Sequence, residues 1–206
     1  MQLRYQCNLT SKAYVNQQAW RDATLERCPL HPGGSCGFRR HGTYPRVSPP
    51  GARIARWYCR RAPCTFSLLP DCLAARLCGD LAEVEGVVGA VEQAESLEAA
   101  CALLRPTIEL PGVLRWVRRR VRAIHEALNI FIGLMPESFA GCELRLDAFA
   151  MRLGVEELLP VLRQIGAPHL TFLPAPLGFR PRGGRGGEPD RALQHSVGPA
   201  PPAFVP

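Results

Sequence analysis

Two cysteine pairs, Cys28-Pro-Leu-His-Pro-Gly-Gly-Ser-Cys36 and Cys59-Arg-Arg-Ala-Pro-Cys64, constrain this chain more than any other feature. Between them lie Gly37 to Val47 and Ala52 to Tyr58, both rich in aromatic and β-branched residues and joined by the turn signal Ser48-Pro-Pro-Gly51. That pattern predicts a β-hairpin. A hairpin of this length has little core of its own. Four thiolates from its two ends, converging tetrahedrally on Zn²⁺, supply the missing stability. Cys28, Cys36, Cys59 and Cys64 are the favoured ligands. Both loops are wider than the usual knuckle, and His31, three residues beyond Cys28 in a C-x2-H spacing, is the alternative ligand. His41 is read as a strand residue. Cys72, Cys78, Cys101 and Cys142 are read as ordinary thiols.

The order Cys28-Pro, Cys36-Gly, Arg40-His-Gly-Thr-Tyr44, Arg56-Trp-Tyr-Cys59 and Cys64-Thr-Phe-Ser-Leu-Leu-Pro70 resembles the zinc-ribbon head of insertion-sequence transposases and of short transposase-associated proteins of unknown function. Cys64 to Pro70 is the most specific part. The similarity covers residues 25–80, more weakly through the Arg-rich helix beyond. It implies zinc-dependent DNA recognition in a mobile-element setting.

Charge placement adds to this. The 206 residues carry a formal charge of +7, with 24 Arg and Lys12 as the sole lysine. Residues 1–64 hold +9, 80–110 hold −6 and 111–125 hold +5. A GC-rich genome would enrich Arg evenly; here it is segregated. Within the ribbon, Arg39, Arg40, Arg46, Arg53 and Arg56 are candidate phosphate contacts.

Downstream, apolar residues at helical period predict helices over 80–93, over 96–104 with Ser96 as N-cap, and from Pro111 to about Asn129. On the third, Val113, Leu114, Val117, Val121, Ile124 and Leu128 form a core-facing stripe, with Trp116 and Arg120 flanking it. Arg115, Arg118, Arg119 and Arg122 lie opposite. The succession resembles a helix-turn-helix whose third helix reads the major groove. The competing expectation is that the acids of 83–98 neutralise this stripe within the chain. Two short helices, 144–153 and 155–165, joined at Gly154, are expected to complete a small core or a dimer face. From Gly166 onward, 9 Pro and 7 Gly, with the run Arg180-Pro-Arg-Gly-Gly-Arg-Gly-Gly187, predict disorder.

The expected fold class is α+β. An N-terminal extension (1–24) precedes a zinc-ribbon domain (25–79), a helical domain (80–165) and a disordered tail (166–206). No apolar run is long enough to span a bilayer, and Met1-Gln-Leu-Arg-Tyr-Gln-Cys7 has no signal-like apolar stretch. A cytoplasmic protein, nucleoid-associated when bound to DNA, is therefore expected, with DNA, a transposase or a second copy as partners. No small-molecule substrate is evident. The acids after Asp22 follow no strand-like runs that could assemble a three-carboxylate nuclease site, and no phosphate-binding glycine loop occurs in strand–helix context. The expectation is a DNA-binding protein without catalysis, or alternatively a zinc-ribbon protein-interaction module.

Overall fold

The computed structural model describes residues 1–179 and is a mixed α+β fold with a four-stranded sheet and seven α-helices among them. The described chain falls into two compact units. One comprises Met1–Gln6 and Lys12–Pro70. The other comprises Cys7–Ser11 and residues from Asp71 onward.

In the first unit, the predicted hairpin forms one side of a larger sheet. Strands β1 (Gln2–Tyr5), β2 (Arg39–Pro45), β3 (Arg53–Cys59) and β4 (Cys64–Pro70) are ordered β1-β4-β3-β2, with β1 parallel to β4 and the other pairs antiparallel. The segment 1–24, expected as an extension, instead supplies an edge strand and the short helix α1 (Ser11–Asn16). It also contributes buried Tyr14, Ala19, Trp20 and Ala23. The Tyr14 hydroxyl donates to the Arg53 carbonyl at 2.8 Å, which pins α1 to the start of β3. Alternation gives the sheet two unlike faces: Ala55, Trp57 and Cys59 of β3 join Phe66 and Leu68 of β4 in the apolar core.

In the second unit, the helices are α2 (Leu81–Gln93), α3 (Leu97–Leu104), α4 (Leu110–Leu134), α5 (Pro136–Phe139), α6 (Leu146–Leu153) and α7 (Leu158–Ile165). Asp80 and Ser96 cap α2 and α3, accepting from the Glu83 and Ala99 amides at 2.7 and 3.1 Å. Helix α4 runs past the expected Asn129 to Leu134, and Pro136 opens α5 just beyond it. Its buried stripe is Val113, Val117, Arg120, Ile124, Ala127, Leu128 and Phe131, with Leu114 and Val121 half-buried at the margin. Arg120 thus lies in the stripe, because positions 117, 120 and 124 share one face. Its guanidinium stacks over Trp116, 3.9 Å from the ring centre, and donates to the Cys78 carbonyl at 3.1 Å. Arg105 stacks on the same ring at 3.9 Å.

Helices α6 and α7 carry no capping side chain of their own. Glutamates of α2 do that work from a distance. Glu92 accepts from the Leu146 amide at 2.9 Å, and Glu85 accepts from the amides of Leu158 and Leu159 at 2.8 and 2.9 Å. Each carboxylate satisfies orphan donors at the positive end of a helix. Gly154 closes α6 in the left-handed conformation at φ +65°, as its place between the two predicted helices suggests.

The proline-rich composition that predicts disorder from Gly166 misjudges residues 166–179. They form a 3₁₀ turn at Ala167–His169 and bury Leu170, Leu173, Leu177 and Phe179. Arg163 is the clasp. Fully buried, it donates to the carbonyls of Leu177 (2.9 Å), Asp71 (2.9 Å), Leu73 (2.6 Å) and Pro176. One side chain therefore joins the start of the unit to its last described residues. The Arg/Gly run and the rest of the tail lie outside the described residues.

Replacing Arg163 by Leu strands several buried carbonyls, at about 1–3 kcal/mol each. The expected result in chemical denaturation of the whole chain is a loss of at least about 3 kcal/mol. A loss below about 1 kcal/mol contradicts the clasp.

Candidate metal centre and basic surfaces

Four side chains of the first unit meet at one point: Cys28, His31, Cys36 and Cys59. Their ligand atoms all lie within 4.8 Å of one another, a grouping able to hold a metal ion. The His31 Nδ1 is 3.6 Å from the Cys28 sulfur and 3.4 Å from the Cys59 sulfur. Tetrahedral coordination at ordinary Zn–S and Zn–N lengths places sulfur and nitrogen about 3.6 Å apart. The three thiols are buried and His31 is partly exposed.

The local backbone explains how a seven-residue spacer still makes a knuckle. The His31 amide donates to the Cys28 carbonyl at 3.1 Å, and the Gly34 amide donates to the His31 carbonyl at 3.0 Å. Two tight turns in succession take up the extra residues. Gly34 and Ser35 complete the second at φ +82° and +58°. The first turn carries the imidazole to the thiols, and the second returns the chain so that Cys36 faces them. Cys59 comes from the end of β3, and the Ala62 amide donates to its sulfur at 3.4 Å. The Arg61 amide donates to the Cys36 carbonyl at 3.2 Å, which ties the second loop to the first.

The surroundings are apolar. Phe38 stacks on Trp57 at 5.5 Å and meets Phe66 edge-on at 5.9 Å, with Leu3, Leu25 and Ala62 packed alongside. Burial pushes the Cys59 thiol up, but the Ala62 amide, the neighbouring thiols and the Arg61 amide outweigh it, so its pKa falls below the usual value. For Cys36, burial and the thiols of Cys28 and Cys59 act together and raise it. Cys59 is thus the thiol predisposed to ionise.

Of the favoured ligand set, Cys28, Cys36 and Cys59 are brought together. Cys64 is not part of the group; His31, the alternative, is. Cys64 opens β4 directly opposite Cys59, packed against the same apolar cluster. Sequence spacing favours it because the second pair looks like a knuckle, but the turns at 28–34 deliver a fourth donor from the first loop. His41 lies on β2 with its ring 5.4 Å from that of Tyr58, outside the donor group.

The candidate basic residues separate by environment. Arg39 is exposed at the start of β2. The Arg40 guanidinium donates to the backbone carbonyls of Trp20 and Arg21 at 2.6 and 2.7 Å, so it fastens the N-terminal segment to β2. Arg53 is exposed and donates to the Thr43 hydroxyl at 2.7 Å. Arg46 is half-buried. Arg56 is half-buried beside Tyr44, 5.8 Å from the ring centre.

On α4, Arg115, Arg118, Arg119 and Arg122 are all exposed, and among the described residues no hydrogen bond or ion pair holds them. Of the acids of 83–98 expected to neutralise this stripe, Glu85 and Glu92 are turned to α7 and α6 instead, while Glu83, Glu95 and Glu98 are exposed. A shallow groove along the helix is lined by Arg118, Val121, Arg122, His125, Glu126 and Leu97. No helix among the described residues is long and apolar enough to cross a membrane.

Comparison with known protein families, with curated proteins and with solved structures finds no match.

The ligand assignment separates cleanly by mutation. With Co²⁺ as a coloured substitute for zinc, His31→Ala and Cys36→Ala should weaken metal binding at least about tenfold. Cys64→Ala should leave affinity and spectrum unchanged. Loss of the thiolate charge-transfer band in Cys64→Ala, with His31→Ala unaffected, would return Cys64 to the set.

Proposed function

We propose that this chain is a zinc-stabilised DNA-binding protein without catalysis of its own, serving recognition or an accessory step for an insertion sequence. Three thiols and an imidazole suit zinc, which takes soft sulfur and nitrogen donors in closed tetrahedral structural sites. The ion would hold the two loops of the ribbon together rather than act on a substrate. The mobile-element setting rests on the resemblance in residues 28–70, and a neighbouring transposase frame or flanking inverted repeats would bear it out. With it go the partner and the location: a transposase or a second copy, in the cytoplasm and nucleoid.

The observation that carries the DNA reading is the face of α4. Four guanidiniums project from one helix with no intramolecular partner among the described residues. Arg is the residue for phosphate clamps and for bidentate pairing with guanine. Helices α2, α3 and α4 are proposed as the helix-turn-helix-like element, with α4 in the major groove. On the ribbon, Arg39, Arg46, Arg53 and Arg56 remain proposed phosphate contacts. Arg40 has the weakest claim, since two backbone carbonyls hold it.

A second reading has its own observation. Leu103, Ile108 and Leu110, around the α3–α4 corner, are 81%, 43% and 46% exposed, which suits docking onto another protein.

A salt-dependent titration against duplex DNA decides between them. Affinity should fall steeply with salt, and Arg118→Ala, Arg119→Ala and Arg122→Ala combined should flatten the log–log slope by about 0.9 per lost phosphate contact. The same number of tail replacements at Arg180, Arg182 and Arg185 should cost less. Equal losses from both sets would overturn the helix assignment. A salt-insensitive complex with a protein partner would favour docking.

A further inference from the structure

The sheet of the first unit has a second face that the metal centre does not use. Arg39 pairs with Tyr58, Tyr58 with Thr65, and Arg56 with Ser67, so these side chains share one face. It is the face opposite Trp57, Phe66 and Leu68. His41 joins it, its ring 5.4 Å from Tyr58 and tilted by 37°. Toward the far end, Tyr44, Ile54 and Leu69 are buried, so the open part is the end bearing Arg39, His41, Arg56 and Tyr58.

Three properties of this patch are unusual together. Two aromatic rings lie partly exposed beside each other on rigid strands. Two guanidiniums flank them, and the Arg56 Nε is buried with no hydrogen-bond partner. Among the described residues no ion pair holds either guanidinium, and Asp22 and Glu26, the only acids in residues 1–64, lie off the strands. Burial, then the charges of Arg56 and Arg39, hold His41 below its usual pKa, so its ring is uncharged at neutral pH. Tyr58 precedes the proposed ligand Cys59, which ties the platform to the metal centre.

We propose that this face binds single-stranded DNA, a base stacking on Tyr58 and His41 while Arg39 and Arg56 pair with the flanking phosphates. Stacked bases with interleaved cations are the chemistry that single strands require, and a duplex cannot offer its base faces to a flat sheet. The inference rests on the reading of the chain as a DNA binder but assigns a different strand form to a different unit from α4.

The test uses the full, zinc-loaded chain and fluorescence anisotropy with a labelled single-stranded DNA of about 12 nucleotides, its duplex, and the RNA of the same sequence. Tyr58→Ala should weaken single-strand binding about 5- to 100-fold. Tyr58→Phe, which keeps the ring, should stay within about twofold, and neither should alter duplex binding. Arg39→Ala should flatten the single-strand salt slope by about 0.7. The combined Arg118, Arg119 and Arg122 variant should weaken only the duplex. Single-strand binding that survives both Tyr58→Ala and His41→Ala overturns the proposal, as does binding of RNA alone. Should Tyr58→Ala fail to fold, the exposed Arg39→Ala and the partly exposed His41→Ala give the same reading. A chain that binds the single strand but shows no duplex binding refutes the α4 assignment and leaves this one standing.

Discussion

Three buried thiols and an imidazole directed at one point set the terms for the first unit. Sulfur atoms so close, in an apolar pocket of Phe38, Trp57 and Phe66, gain nothing from one another as thiolates. Burying an ionised group without a partner is expensive, and a cation is the partner that turns that cost into cohesion. The two loops meet otherwise through few contacts, such as the Arg61 amide on the Cys36 carbonyl. A small unit has limited core to spend, so the proposed ion would decide whether the knuckles, and with them β3 and β4, hold their register.

The second unit solves its stability problem with buried polar groups from distant positions. Arg163 gathers four carbonyls from both ends of the unit, and Glu85 and Glu92 cap helices that begin some 50 to 70 residues later. This has a consequence for charge. Two acids upstream of α4, Glu85 and Glu92, are committed to capping, and no ion pair holds Arg115, Arg118, Arg119 or Arg122 among the described residues. What looks in the sequence like two blocks able to cancel is, in the fold, a basic face turned out and an acidic block of which Glu85 and Glu92 serve as caps.

Local signals were legible where the physics is local. The hairpin followed from its β-branched and aromatic runs around Ser48-Pro-Pro-Gly51, and α2, α3 and α6 followed from apolar period, Ser96 and Gly154. The misreadings share a cause: each depended on contacts remote in the chain. Spacing ranked Cys64 above His31 because the hydrogen bonds that shape the 28–34 turns are invisible to it. Arg120 looked like a flank because nothing upstream announced the Cys78 carbonyl or the Trp116 ring as its partners. Proline and glycine content hid Leu170, Leu173 and Leu177, which become a packed segment only once Arg163 is placed. Edge strand β1 gave no signal beyond four residues, and its partner β4 lies more than sixty positions away.

The most direct measurement is native mass spectrometry of the purified chain, joined to thermal unfolding before and after chelation. The account predicts one zinc per chain and a first unit that loses its cooperative transition when the ion is stripped, recovering it when zinc is returned. A metal-free chain that unfolds at the same temperature with and without chelator would contradict it.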